Sequence, residues 1–199
     1  PAAKWTSRLA EGADGRIYAC GNNARHSFGG VFLAFDPAGV KHQYIWQQNA
    51  DYSIQDMIAV NGGKWMAQAA KERAGEQRPM MIVYDVEKRD FTLRQPIETG
   101  LKDAGAIFPA GPKSLVGLVR IRHADEKDPQ KATYEFVVYG FDLETGKVLF
   151  TNKHPGRAFA GPMPYDNFND FCIGSDGCGW LFIDQWLSRI HPDGTVEKV

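Results

Sequence analysis

The residues of this chain that could carry chemistry are histidines, arginines, a tyrosine and carboxamides placed in connecting segments. An imidazole or a phenol can remove a proton from carbon, and a guanidinium can neutralise a neighbouring carboxylate. Asparagine and aspartate add oxygens that can bind a hydroxyl group or a hard cation. Together these groups would suit a polar, acidic small ligand. The candidate ligand-binding residues are Asn22, Arg25, His26, His154, Arg157, Tyr165, Asn169 and Asp170.

Each of these side chains also has a plainer interpretation. A polar residue in a loop is more often solvated than functional, and Asn169 and Asp170 are common turn formers that could simply open a strand. His42 and His191 occupy strand or turn positions, where we expect structural roles. No nucleophile elbow, phosphate-binding glycine loop or nucleotide fingerprint occurs in the sequence.

The last thirty residues show which elements must position these groups. Asp176-Gly177 and Asp193-Gly194 separate short apolar runs, and Asp-Gly between two such runs is a strong hairpin signal. Four short antiparallel strands therefore fill this segment, and a four-stranded meander of this length is typical of one blade of a β-propeller.

Three further segments repeat the same plan. The aspartates that begin the third turn of each repeat are Asp36, Asp85 and Asp142, which are 49 and 57 residues apart, and His191 follows another 49 residues on. A period near 50 residues predicts an all-β propeller of four recognisable four-stranded blades, at about residues 6–48, 52–97, 103–152 and 168–199. The four blades form a single domain or part of a larger six- to eight-bladed ring.

The predicted loop face collects the candidate residues. Loops that follow the second strand of a blade leave the propeller on the same side as the segments that join blades. We expect Arg122 and His123 on this face as well. The stretch 154–167 is the longest connection and carries three prolines, so we expect it to have a function beyond connecting two strands.

The repeats resemble those of the broad NHL, YVTN and quinoprotein-like propeller group. The similarity lies in Ile17-Tyr18 after Asp-Gly, in 35–39, in 141–146 and in 190–194, and it covers nearly the whole chain. It implies the propeller fold, whereas the group includes enzymes, sugar-binding proteins and interaction platforms alike. It also favours a secreted or periplasmic location.

A narrower likeness involves Asn167-Phe168-Asn169-Asp170 in the fourth repeat. This segment is similar to the Phe-Asn-Asp motif of gluconolactonase-like propeller hydrolases, where the asparagine lies beside a metal. The resemblance implies a divalent cation such as calcium as a cofactor. The family's opening Glu-Gly-Pro is absent, because Glu11-Gly12 is followed by Ala13.

Composition narrows the range of partners. The 199 residues carry 23 basic and 24 acidic side chains, a net charge of −1 that favours neither nucleic acid nor an anionic membrane. Three cysteines are too few for a disulfide framework. Cys172 and Cys178 could form a cross-strand bridge, or both could be small buried thiols beside Cys20.

Two functional hypotheses follow from the sequence. In the first, the propeller binds an oligosaccharide or similar polar small ligand on its loop face, with or without polysaccharide lyase or lactonase chemistry. In the second, it is a non-catalytic scaffold that binds a protein partner or the remaining blades of the same protein. The first needs the candidate side chains to converge, and the second does not.

Overall fold

The computed structural model of the protein describes residues 3–23, 30–38, 42–49, 51–73, 75–123, 132–158 and 171–199. Within these ranges the chain forms four four-stranded antiparallel sheets and no helix. Each sheet contains four consecutive strands, so the chain completes one sheet before it begins the next. The sheets are the blades of a β-propeller, which confirms the predicted fold class.

The strands follow one another in four meanders. The first sheet consists of β1 (Ala3–Glu11), β2 (Ile17–Asn23), β3 (Gly30–Phe35) and β4 (His42–Asn49). The second consists of β5 (Tyr52–Val60), β6 (Trp65–Glu72), β7 (Pro79–Asp85) and β8 (Asp90–Pro96). The third consists of β9 (Ala106–Pro109), β10 (Ser114–His123), β11 (Thr133–Asp142) and β12 (Lys147–Pro155). The fourth consists of β13 (Phe171–Ile173), β14 (Gly179–Ile183), β15 (Trp186–Ile190) and β16 (Val196–Lys198).

The Asp-Gly turns form as their residue types predict. Gly15 and Gly177 both have φ near +75°, a left-handed conformation that costs glycine little. In each turn the preceding aspartate accepts a hydrogen bond from the backbone nitrogen two residues later, at 3.2 Å from Asp14 and 3.0 Å from Asp176. Local sequence alone therefore determines these two hairpins.

Consecutive sheets pack face to face through three apolar cores. The core between the first and second sheets includes Tyr18, Phe32, Met66, Ile82 and Tyr84. The core between the second and third sheets includes Ala67, Val83, Ile107, Tyr139 and Phe141. The core between the third and fourth sheets includes Phe108, Phe136, Val138, Leu181 and Ile183. Since both faces of the second and third sheets are covered, their middle strands are apolar almost throughout.

A buried carboxylate connects the first strands of three blades. Asp56 of β5 is 1% exposed and accepts hydrogen bonds from Arg8 Nη2 of β1 at 2.8 Å and from the backbone nitrogen of Ile107 in β9 at 2.9 Å. Burial raises the pKa of Asp56, while Arg8 and the backbone donors of Ile107 and Met57 act in the opposite direction. This contact fixes the spacing of the strands that begin each of these blades.

Two local predictions differ from the structure. Period-two alternation in the sequence predicts that Tyr44 and Trp46 share one buried face of the last strand of the first blade. In the structure a bulge at Ile45 breaks the alternation of β4, and Tyr44 is 40% exposed. The sequence predicts the last strand of the third blade over 147–150, whereas β12 continues to Pro155 because it stays paired with β11 along its whole length. None of the described segments is a helix long and apolar enough to cross a membrane.

Candidate functional site

One edge of the third and fourth sheets carries the described part of the predicted loop face. β10 ends there at His123, β11 begins at Thr133 and β12 ends at Pro155. The hairpin at 184–185 of the fourth sheet joins the same edge, since the Asp184 nitrogen donates to the Arg157 carbonyl at 2.9 Å. The edge therefore combines a loop after a second strand with a connection between blades, as predicted.

Only part of the predicted ligand-binding set falls within the described ranges. Arg25, His26, Tyr165, Asn169 and Asp170 lie outside them, so their convergence and the expected calcium site stay predictions. Asn22 belongs to β2, where it pairs with Gly30, rather than to the loop that follows. His154 and Arg157 are both described.

His154 is part of the packing of the third blade. It pairs with Phe136 across β11 and β12, and the two rings stack with centroids 5.1 Å apart. Its Nε2 atom is buried without a hydrogen-bond partner among the described residues. Burial lowers the pKa of the imidazole, and a backbone hydrogen bond with Gly194 acts in the opposite direction. The expected loop position of His154 is thus wrong, because β12 extends past it.

Arg157 lies at the junction of the third and fourth blades. Its guanidinium carbon is 5.0 Å from the ring centroid of Tyr134, a cation–π arrangement. Its backbone nitrogen donates to Asp184 Oδ1 at 2.8 Å, in addition to the bond that its carbonyl accepts from Asp184. Asp184 has φ of +55°, so the turn at the tip of the hairpin turns its carboxylate back towards the neighbouring blade.

A second arginine lies beside the same aromatic ring. Arg122 of β10 is paired directly with Tyr134 of β11, and paired residues project from the same face of a sheet. That face is the one that carries Phe136 and packs towards the fourth sheet. Arg122 and Arg157 are both exposed, and Tyr134 is half-buried on β11, the strand between β10 and β12. The result is a cationic and aromatic spot at the edge of the propeller.

The opposite face of the same edge holds a histidine and a carboxylate. His123 Nε2 lies 3.3 Å from Glu135 Oε1. From the sequence we predicted Arg122 and His123 on the loop face, but we did not predict Tyr134, Glu135 and Asp184 there. Cross-strand pairing brings these residues together, and no spacing along the chain could have revealed it.

A polar network at the junction of the second and third blades was also missed. Gln55 Oε1 accepts from the backbone nitrogens of Ala104 and Gly105 at 2.7 and 3.1 Å, and its Nε2 donates to Asp103 Oδ1 at 3.0 Å. Lys71 Nζ donates to the same Asp103 oxygen at 3.1 Å. Because these groups satisfy one another, they hold the connection before β9 in place.

The cysteines are free thiols. Cys178 and Cys20 are buried whereas Cys172 is exposed, so the predicted alternative of a disulfide is wrong, and so is the expected burial of Cys172. Cys178 Sγ lies 3.7 Å from His191 Nδ1, and His191 Nε2 lies 3.2 Å from Glu197 Oε2. Within the described ranges no group of histidine, cysteine and acidic side chains has the arrangement of a metal site.

Comparison with known proteins supports the fold. No family model matches the sequence, and no curated protein matches it. The acylaminoacyl peptidase of Pyrococcus horikoshii superposes with a TM-score of 0.59 at 12% identity, over 98% of this chain and 32% of that one. The β-propeller domain of the Trilobed protease from Pyrococcus furiosus gives 0.52 at 12% identity, over 100% of this chain and 58% of that one.

A carbohydrate enzyme also shares the architecture. MPT-4, a mannose phosphorylase from Leishmania mexicana solved with phosphate, gives a TM-score of 0.51 at 12% identity, over 96% of this chain and 64% of that one. The present chain therefore spans less than two thirds of each of these three proteins. At such low identity the similarity shows the β-propeller fold alone, and it does not confirm the NHL or quinoprotein-like relationship.

Proposed function

We propose that the loop face of this propeller binds an acidic polar ligand of the sugar-acid class at the junction of the third and fourth blades. The observation that carries the proposal is the pair of exposed arginines beside Tyr134: Arg122 is its cross-strand partner, and the guanidinium of Arg157 lies over its ring. The ligand is an oligosaccharide or small molecule with at least one carboxylate.

The chemistry of the three side chains supports this class of ligand. A guanidinium binds a carboxylate through two parallel hydrogen bonds, and it does so better than a point charge. The face of a phenol ring packs against the apolar face of a sugar, while its hydroxyl group remains available to a polar neighbour. Two cations beside one ring favour an anion over a neutral sugar.

The anchoring of Arg157 supports a preformed site. Asp184 holds both backbone polar groups of Arg157 on one side of the junction, and the ring of Tyr134 supports its guanidinium on the other. A side chain that is ordered before binding loses less conformational entropy when the ligand arrives. The mannose phosphorylase likeness adds only that a propeller of this kind can carry a site for a sugar and an anion.

Lyase or lactonase chemistry is a further step that needs a base or a metal. His123, which contacts Glu135, places an imidazole at this edge, but its side chain projects from the other face of the third sheet. A ligand would have to extend across the edge of the sheet to contact both His123 and the two arginines. Binding without turnover is therefore the form of the proposal that we favour, and the calcium site at Asn169 and Asp170 remains part of the catalytic version.

Thermal denaturation with a panel of sugars tests the proposal. Acidic oligosaccharides should stabilise the protein, and neutral sugars of the same size should not. A ligand at about 100 times its Kd adds roughly 2.7 kcal/mol, which for a chain of this length raises Tm by about 5–10 °C. Parallel runs with calcium and with a chelator test the metal, and formation of an unsaturated product tests the lyase.

Matched arginine variants separate binding from general charge effects. Arg157→Gln and Arg122→Gln should each weaken binding of the acidic sugar by about 10- to 100-fold, the loss expected for a hydrogen bond to a charged group. Arg94→Gln is the control, because Arg94 lies over the ring of Phe91 at 4.7 Å in the second blade, away from this junction. Equal effects of all three variants, or no stabilisation by any acidic sugar, would disprove the proposed site.

A further inference from the structure

An exposed tryptophan lies at the junction of the third and fourth blades. Trp186 is the first residue of β15 and is 57% exposed. It pairs with Ile183 of β14, so the two side chains share one face of the fourth sheet. Ile183 is 3% exposed and belongs to the core between the third and fourth sheets. Trp186 therefore lies on the face that is turned towards the third sheet.

The position of Trp186 is buried in the other three blades. The repeat period aligns the turn residues of the four blades, and Trp186 precedes the turn residue of its blade, His191, by five positions. The residues at the same offset in the first three blades are Val31, Met80 and Val137, which are 4%, 6% and 0% exposed. Single exposed apolar residues are common on protein surfaces, but this one occupies a position that the repeat otherwise buries.

The hairpin that precedes Trp186 also anchors Arg157 of the proposed site. Asp184 accepts from the Arg157 nitrogen at 2.8 Å, and its own nitrogen donates to the Arg157 carbonyl at 2.9 Å. Ala158, the next residue, forms a bridge with Ile183, which pairs with Trp186 on its other side. Neighbouring strands lie about 4.7–4.9 Å apart, so two spacings, about 9.5 Å, separate the backbones of Ala158 and Trp186. One extended ligand can therefore contact both the arginine and the indole.

Tyr134 and Trp186 belong to the two sheets that face each other at this junction. Each lies within the first two residues of the third strand of its blade, at the edge where the hairpin at 184–185 meets Arg157. The guanidinium of Arg157 lies over the ring of Tyr134. The third blade thus presents the cationic spot, and the fourth blade presents a separate aromatic surface beside it.

A lysine lies next to the indole. Lys198 of β16 is paired with Ser188, the second residue after Trp186, and so projects from the same face of the sheet. Its Nζ atom is 5.9 Å from the centroid of the Trp186 ring. An ammonium group has three donors for a hydroxyl or a carboxylate. An indole with such a group beside it offers the apolar surface and the hydrogen bonds that a sugar ring needs.

We propose that Trp186 forms a second subsite, so that the ligand is an oligosaccharide of at least two units. The acidic unit binds at Arg122 and Arg157, and the next unit stacks on the indole of Trp186. Lys198 donates to a hydroxyl or carboxylate of the stacked unit. This inference rests on the proposed acidic-sugar site and adds to it the length of the ligand and its direction across the junction.

Calorimetric titration with galacturonate and with trigalacturonate tests the second subsite. Wild type should bind the trisaccharide about tenfold more tightly than the monosaccharide, the usual effect of a well-packed tryptophan at an interface. Trp186→Ala should weaken binding of the trisaccharide by about tenfold and leave binding of galacturonate unchanged. Trp186→Tyr should keep most of the gain, because a phenol ring is also a flat apolar surface. Tyr44→Ala is the control, since Tyr44 is an aromatic residue of the first blade with 40% exposure.

Tryptophan fluorescence gives a readout specific to this indole. Stacking removes Trp186 from water, so trigalacturonate should shift the emission of wild type and of Tyr44→Ala to shorter wavelength, but not that of Trp186→Tyr. Equal affinity of wild type for the two probes, or equal loss of both in Trp186→Ala, would overturn the second subsite and leave the arginine site in place. Absence of binding of either probe would overturn the arginine site and this inference with it.

Discussion

Replacement of Asp56 by alanine tests the contact that joins the first strands of three blades. The carboxylate is 1% exposed and accepts three hydrogen bonds, from Arg8 Nη2, from the nitrogen of Ile107 and from the nitrogen of Met57 at 2.8 Å. Asp56→Ala removes the two oxygens that accept these three hydrogen bonds without removing apolar packing. Ile107 and Met57 are themselves buried, so water cannot readily replace the lost partner.

The magnitude follows from these exposures. A buried backbone N–H without a partner costs about 1–3 kcal/mol, and Asp56→Ala creates two. The Arg8 side chain is 28% exposed and can turn towards solvent, so its share is small. We expect the free energy of unfolding to fall by about 2–6 kcal/mol, a large part of the 5–15 kcal/mol that is typical of a folded domain.

Urea denaturation followed by tryptophan fluorescence and circular dichroism measures this loss. Glu144→Ala is the matched control, because it removes one partner of the exposed Lys113–Glu144 ion pair and should cost less than about 1 kcal/mol. The reasoning would be refuted by an Asp56→Ala variant that unfolds at the same urea concentration as the control.

The pH dependence of Asp56→Asn provides an independent check. Burial raises the pKa of Asp56 above 3.8, so the folded state binds this proton more tightly than the unfolded chain. Its contribution to stability is therefore complete in acid and declines as the pH rises through the folded pKa. The free-energy difference between wild type and Asp56→Asn, which cannot titrate there, should shift in favour of wild type as the pH falls. A constant difference would contradict this.

Three further predictions concern other positions in the blades. In urea denaturation, Gly105→Ala should lower the free energy of unfolding by about 1–3 kcal/mol more than Gly100→Ala does. Both glycines have φ near +75°, but only at Gly105 would a Cβ meet the Leu118 carbonyl oxygen. Equal losses for the two variants would contradict this clash. Gln68→Met should raise Tm, since neither polar atom of this fully buried carboxamide has a hydrogen-bond partner in the described part of the chain, and a lower Tm would contradict the inference. Burial lowers the pKa of His154 below 6.5, so wild type should lose stability as the pH falls below 6.5. The His154→Phe variant should lack this dependence. Parallel profiles of stability against pH for the two proteins would contradict the prediction.

The sequence predicted those parts of the fold that depend on neighbours along the chain. Asp-Gly turns such as Asp14-Gly15 and Asp176-Gly177 form from local backbone preferences, and the period near 50 residues then determines four meanders of four strands. It also predicted which edge the loops leave, because that follows from the direction of each strand. It failed at Tyr44 and His154, where a bulge and an extended ladder changed the alternation and the length of a strand. Both changes depend on the partner strand.

The candidate site could be recognised only in three dimensions. Tyr134, Asp184 and Arg157 lie on separate elements, and the register of β11 against β10 and the packing of the fourth blade on the third bring them together. The exposure of Trp186 beside the burial of Met80 is likewise invisible in the sequence, where both lie near the start of the third strand of a blade. Local residue types thus determined the blades of this protein, whereas the contacts between blades decided which side chains are buried, which form a site and which remain available for a partner.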